Sequence, residues 1–174
     1  MTEPEVLSLL KAAKKTRYPL RNQALVWTAY SHALRPGEVC ELKWDQVMFD
    51  SNQIAISRLK NGRDCLHPLW DREIRLLKKL KKEQKGKSPY IFLSERGDVL
   101  SLKAFQDLLD ALGRLAEIPF KIHPHMLRHS LPTKLGNEGI PTATLQAFLG
   151  HVSINNTARY VHIAPGAFQG FFRN

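Results

Sequence analysis

The sequence has 174 residues, enough for one domain with a sizeable core and too few for two of ordinary size. Its 43% hydrophobic and 24% charged residues, with 10 Gly and 10 Pro, exclude disordered, collagen-like and solenoid chains. No apolar run reaches the roughly 18 residues of a membrane span and the start, Met1-Thr2-Glu3-Pro4-Glu5, is acidic, so a cytoplasmic protein is expected; the net charge of +10 favours a polyanionic partner, nucleic acid before acidic protein or lipid.

In chain order, Thr2 and Glu5 fit a capping box opening a helix with Val6, Leu9, Leu10 and Ala13 on its apolar face. A second helix is predicted from Pro19 to His32, with Leu25, Val26 and Ala29 inward. Pro36 suits the first position of a short third helix, which pushes Arg35 out of helical geometry and presents it on a turn. Ile54, Ile56, Leu59, Leu66 and Leu69 are spaced as in strands, and Asn61-Gly62 is a strong hairpin signal, which predicts strands over 53–60 and 63–69. Helical spacing returns at Ile74, Leu77 and Leu80. Gln84 to Pro89 reads as an exposed loop, Tyr90 to Leu93 as a short strand, and Leu102 through Leu115 as a long amphipathic helix. The fold class is therefore mostly α with a small three-stranded antiparallel sheet, as a single domain over 1–174. Cys40 and Cys65 lack the spacing of a disulfide framework and read as buried thiols.

Phosphate-seeking groups are concentrated in three places. Arg35 has Glu38 three residues on, able to hold its guanidinium fork. Lys60 ends a strand just before the Asn61-Gly62 turn. In a helix begun near Pro124, His125 and Arg128 share a face and can reach one anion together. His151 and Tyr160 would lie on opposite faces of an unbroken helix. The chain must break between them: Gly150 suits the position after one helix, and Ser153 could cap the next, which would carry Tyr160.

With Ala33-Leu34-Arg35-Pro36-Gly37-Glu38, Lys60, His125-Met126-Leu127-Arg128-His129, Leu149-Gly150-His151 and Tyr160 in this order, the sequence resembles the tyrosine recombinase (phage integrase) family. It looks closest to the small recombinases that invert the fimbrial phase switch, which share Arg58-Leu59-Lys60-Asn61-Gly62 and His67-Pro68-Leu69 in kind. The resemblance implies a site-specific recombinase that cuts and rejoins duplex DNA without metal, ATP or other cofactor. Tyr160 would attack the phosphodiester to form a 3′-phosphotyrosyl bond, with Arg35 and Arg128 on the nonbridging oxygens. Lys60 would be the acid for the leaving 5′-oxygen, His125 an acid/base and His151 a further phosphate donor; Glu38 and His129 would support them. It also implies a homotetramer on DNA, monomeric in solution, with the tail of Phe168, Phe171 and Phe172 packing either on its own core or on a neighbouring protomer. Most relatives carry an N-terminal DNA-clamping domain; the fimbrial type lacks it, and none is expected here. The basic stretch with Arg72, Arg75, Lys78, Lys79 and Lys82 is then a candidate DNA-binding surface or a solvated helix face.

Two residues depart from the family pattern. Ala33 stands where Gly is usual, which is strained if φ is positive, and Pro132 falls inside a helix, where it should kink the helix or remove a hydrogen bond. His123, His125, His129 and His151 could instead be structural or converge on zinc, although no cysteine or carboxylate falls among them. A type IB topoisomerase and a non-catalytic DNA-binding regulator of the same fold are the alternative functions.

Overall fold

The structure, a computed structural model, describes residues 1–59 and 62–160. Helix α1 (Glu3–Ala13) starts as predicted: the Glu5 carboxylate accepts the Thr2 backbone N–H at 2.6 Å, and Val6, Leu9, Leu10 and Ala13 are buried. Helix α2 (Pro19–Ser31) packs against α1, against α4 (Asp71–Gln84) and against α6 (Pro124–Asn137), so its buried Leu25, Val26 and Ala29 sit at the centre of the main core. The chain leaves α2 through Ala33, whose φ of 47° lies in the left-handed region that costs an L residue about 1 kcal/mol. Arg35 is extended, and Pro36 opens α3 (Pro36–Cys40).

The sheet is three-stranded and antiparallel, in the order β1 (Val47–Met48), β2 (Gln53–Ile56), β3 (Cys65–Pro68), with Ile54 opposite His67 and Ile56 opposite Cys65. The paired strands are shorter than predicted. Past Ile56 the Arg58 N–H turns to the Asp64 carboxylate at 2.8 Å, not to a partner strand's carbonyl. The third strand is also not Tyr90 to Leu93. That segment makes only isolated bridges, from Lys43 to Tyr90 and from Leu93 to Val99, and its apolar pattern reflects burial of Ile91 and Phe92 in the core.

In α4, Leu77 and Leu80 are buried; Gln84 closes the helix and is held by Trp44 and the Ile91 carbonyl, so the exposed loop begins only at Lys85. Helix α5 (Leu102–Leu115) buries Phe105, Leu109 and Leu112 but leaves Leu102 and Leu115 exposed, so the apolar face is narrower than the leucine spacing suggests. Helix α6 runs on through Pro132, losing the one bond that proline cannot donate.

Helix α7 (Thr142–Leu149) ends at Gly150 with φ 63°, as expected of a left-handed stop. The following helix differs from expectation: α8 (Asn155–Ala158) is a single turn that begins after Ile154, without Ser153 as its cap. Tyr160 therefore lies in the turn that follows α8 and not on a returning helix, with its N–H on the Thr157 carbonyl at 3.0 Å. Ala33, Leu145, Leu149 and Tyr160 form a second, smaller apolar cluster. Cys40 is buried, its thiol pushed up to about 12 by that burial and then by Glu41, whereas Cys65 is only half-buried. Among the described residues no helix is long and apolar enough to cross a membrane.

Candidate active site

One buried carboxylate organises the site. Glu38 accepts from the Arg35 backbone N–H (2.8 Å), the Arg35 guanidinium (2.7 Å), the Arg58 guanidinium (3.0 Å) and the Leu59 N–H (3.1 Å), while Arg128 lies 3.7 Å away. Burial alone would raise its pKa. The Arg35 N–H, Arg58, the Arg35 side chain and Arg128 outweigh that and hold it below the ordinary carboxylate range. The capping geometry of α3 thus does more than start a helix: it fixes three cations from three chain segments around one charge.

Arg128 projects from α6, with Nη1 donating to the Ala33 carbonyl at 2.6 Å and Nη2 to His151 Nε2 at 3.1 Å. Burial, then Arg35 and Arg58, push its pKa down to about 10, which leaves it charged at neutral pH. A guanidinium only donates, so His151 Nε2 is the acceptor and Nδ1–H donates to Thr157 Oγ1 at 2.9 Å. Burial and then Arg128 push His151 down to about 4, so it is neutral at pH 7. Because the Thr157 hydroxyl can accept or donate, His151 can reverse its tautomer and offer Nε2–H to an anion that engages Arg128.

The Tyr160 phenol is buried, 2.6 Å from His129 Nδ1. Burial raises its pKa, against the opposing pull of Arg128, Arg159 and Arg35, so the phenol rests protonated with an imidazole in contact to take its hydrogen. His129 is itself held neutral, by burial first and by Arg159 and Arg128 next. The Tyr160 backbone is fixed as closely as its ring: a Cβ added at Gly136 on α6 would lie 1.8 Å from the Tyr160 carbonyl oxygen. Arg35, His125, Arg128, His129, His151, Asn156, Arg159 and Tyr160 line one open cleft of about 240 Å³. Three guanidiniums, the neutral imidazoles of His129 and His151 and a buried phenol around such a space can hold a phosphodiester and present an oxygen nucleophile to it.

Of the residues singled out in the sequence, Arg35, His125, Arg128, His129, His151 and Tyr160 meet at this cleft, with Glu38 behind it. Lys60 lies outside the described residues, as do Phe168, Phe171 and Phe172. Arg72, Arg75, Lys78, Lys79 and Lys82 are exposed on α4 and line no part of the cleft; Arg72 stacks over Trp27 at 4.9 Å and Lys78 over Phe49 at 5.7 Å. Among the described residues no three His, Cys, Asp or Glu side chains gather as metal ligands would. Sequence reasoning gave no role to Arg58, Asn156, Thr157 or Arg159. Arg58 is only 6% exposed and also donates to the carbonyls of Phe148 (2.8 Å) and His32 (3.3 Å). Its place next to Leu59-Lys60 was the available signal, but an arginine gives no sign of burial in sequence.

The chain is similar to known proteins in sequence and in fold. The model of the phage integrase family matches residues 1–166. The type 1 fimbriae regulatory protein FimB of Escherichia coli (strain K12) is 35% identical over 176 residues, covering 99% of this chain and 88% of FimB. Tyrosine recombinase XerA of Pyrococcus furiosus is 31% identical over 94% of this chain and 57% of its own length. The solved Tn1549 transposon integrase in complex with transposon right end DNA superposes with a TM-score of 0.83 at 18% identity, over 97% of this chain and 63% of that one, a likeness of fold.

Proposed function

The chain belongs to the phage integrase family of tyrosine recombinases, and from that premise we propose that it is a site-specific recombinase that cuts and rejoins duplex DNA with Tyr160 as nucleophile. The observation that supports this most is the single cleft shared by Arg35, Arg128, His151, His129 and Tyr160. In the proposed step the Tyr160 oxygen bonds to phosphorus and the phosphorus–5′-oxygen bond breaks. His129, 2.6 Å away, takes the phenolic proton, and Lys60 gives a proton to the departing 5′-oxygen. Arg35 and Arg128 hold the charge on the nonbridging oxygens, joined by His151 once it turns its Nε2–H outward; one such preorganised donor is worth about 3 to 4 kcal/mol. His125 lines the same cleft as a second acid/base. The phosphotyrosyl ester keeps the energy of the broken bond, so a 5′-hydroxyl reverses the step without ATP, metal or cofactor.

We also assign double-stranded DNA as the partner, a homotetramer as the assembly on it, and the cytoplasm as its location. Exposed Arg72, Arg75, Lys78, Lys79 and Lys82 would add phosphate contacts outside the cleft. An apolar groove of about 340 Å³, lined by Trp27, Tyr30, Trp70, Leu131, Leu135 and Phe148, is where a neighbour's phenylalanine-rich tail would fit, and Trp70 is 53% exposed there. Sedimentation of the protein–DNA complex should give four protomers per pair of sites; one protomer per cleaved strand without further assembly would reject the tetramer.

The test uses nicked duplexes carrying the inverted repeats that flank the gene, so that cleavage releases a short strand and traps the enzyme. Wild type is expected to give a covalent protein–DNA adduct and Tyr160→Phe none. An adduct that persists in Tyr160→Phe would reject the assignment.

A further inference from the structure

The proposed reaction leaves unused a chain of buried polar groups running from β3 past the end of α2 to α4. His67, His32 and Glu73 are each at most 2% exposed. His67 Nε2 lies 2.9 Å from the Phe148 carbonyl, His67 Nδ1 lies 3.1 Å from His32 Nδ1, and His32 Nε2 lies 3.0 Å from each Glu73 carboxylate oxygen. Thr28 donates to the same carboxylate at 2.8 Å. Counting hydrogens fixes the direction of the chain. A carbonyl only accepts, so His67 Nε2 carries the hydrogen. Burial, then His32 and Arg58, push His67 down to about 3, so it is neutral and its Nδ1 accepts from His32 Nδ1–H. A carboxylate also only accepts, so His32 donates through both ring nitrogens, to His67 on one side and to Glu73 on the other, and the chain ends on the Phe148 carbonyl.

That carbonyl is well placed. Phe148 is in the last turn of α7, whose final carbonyls have no partner within the helix. Its oxygen takes the His67 N–H and an Arg58 N–H at 2.8 Å, and the His67 ring stacks on the Phe148 ring with centroids 4.0 Å apart. Gly150, two residues on, accepts the Arg63 N–H at 2.9 Å through its own carbonyl, and the next residue is His151 in the cleft. Strand β3 and the chain just before it therefore grip the helix end that delivers His151 and, beyond it, Tyr160.

We infer that His67 is a positioning residue for DNA cleavage: its Nε2–H on the Phe148 carbonyl, kept in that tautomer by His32 and Glu73, sets the α7 corner so that His151 meets Arg128 and Tyr160 meets His129. The inference rests on the recombinase reading. His67 does not line the cleft and touches neither the phenol nor the guanidiniums of Arg35 and Arg128.

The experiment measures single-turnover adduct formation on the nicked duplex, and separately the Kd for the same duplex, for wild type, His67→Phe, His67→Gln and His67→Asn. Phe keeps the stacked ring and loses the donor. Gln places an amide N–H near the position of Nε2, whereas Asn places one near Nδ1. His67→Phe and His67→Asn are expected to form adduct about tenfold to a hundredfold more slowly, with Kd within about twofold, and His67→Gln to recover most of the rate. Should His67→Phe fail to fold, the Gln and Asn variants make the same comparison. In wild type, ¹⁵N NMR should show His67 protonated at Nε2 and bare at Nδ1. Wild-type rates in Phe and Asn, a Gln variant as slow as Asn, a loss confined to Kd, or the opposite tautomer would each overturn the inference while leaving the recombinase reading intact. Absence of adduct from wild type would instead bring down the recombinase reading, and this inference with it.

Discussion

Arg58 shows how much one side chain can decide. Its guanidinium is buried against Glu38 and against the carbonyls of His32 and Phe148, so it ties the turn carrying Arg35 to the end of α7. Removing it strips a buried carboxylate and several carbonyls of donors at once, a loss of roughly 3 to 5 kcal/mol for breaking a buried pair. Arg58→Leu is expected to lower the urea unfolding free energy by about that amount. Arg58→Lys should recover little, because an ammonium cannot span the positions that the planar fork joins; a lysine variant of wild-type stability would show that charge, not geometry, is what the site requires. Ala33 shows the opposite case of a strained residue that is kept. Its φ of 47° is unfavourable for alanine, yet its carbonyl accepts from Arg128 at 2.6 Å and its methyl packs with Leu145, Leu149 and Tyr160, which offsets part of the strain.

Among the elements, α6 has the most demanding task, because one helix supplies His125, Arg128 and His129 to the cleft and also a flat place for the nucleophile to rest. That place is Gly136. In an exposed helix Gly→Ala would stabilise by about 1 kcal/mol, but here the new methyl would sit 1.8 Å from the Tyr160 carbonyl. Gly136→Ala is therefore expected to leave α6 and the fold intact, as read by circular dichroism, and to slow adduct formation at least about tenfold by displacing the phenol from His129. Adduct formation at the wild-type rate would mean that the Tyr160 segment moves before it reacts. The corner from α7 to α8 is legible in outline from Gly150 and Tyr160, since a single helix could not bring His151 and Tyr160 together. That α8 starts only after Ile154 is not legible there, because Ser153, just before it, offers a good cap and isoleucine is a poor one.

For the whole molecule the buried titratable groups set a pH range for stability. His67 and His151 have folded pKa values pushed down to about 3 and about 4, below the ordinary 6.5. The unfolded chain therefore binds protons first as pH falls, so their contribution is complete above about pH 6.5 and is lost below it. Glu38, also lowered, adds a loss that begins below its ordinary 4.5. Between pH 7 and pH 5 the unfolding free energy in urea is expected to fall by on the order of 2 kcal/mol for His67 and less for His151, which is nearer solvent. In His67→Gln the slope should be shallower, and an unchanged slope would show that His67 is not the group protonated on unfolding.

The sequence by itself determined the helices up to α7, the presence of the strand pair though not its length, the turn at Arg35, the break at Gly150 and the family. These depend on local rules, such as apolar spacing, caps and the fixed φ of proline, or on residues that occur in a recognisable order. Only the tertiary structure decided that Arg58 is buried beside Glu38, that His129 is the imidazole in contact with Tyr160, that Gly136 must lack a side chain, and that His67, His32 and Glu73 form a chain ending on Phe148. Each of these joins residues from different elements, where burial changes what a polar group does, and burial is a property of the packed molecule that no local stretch of sequence contains.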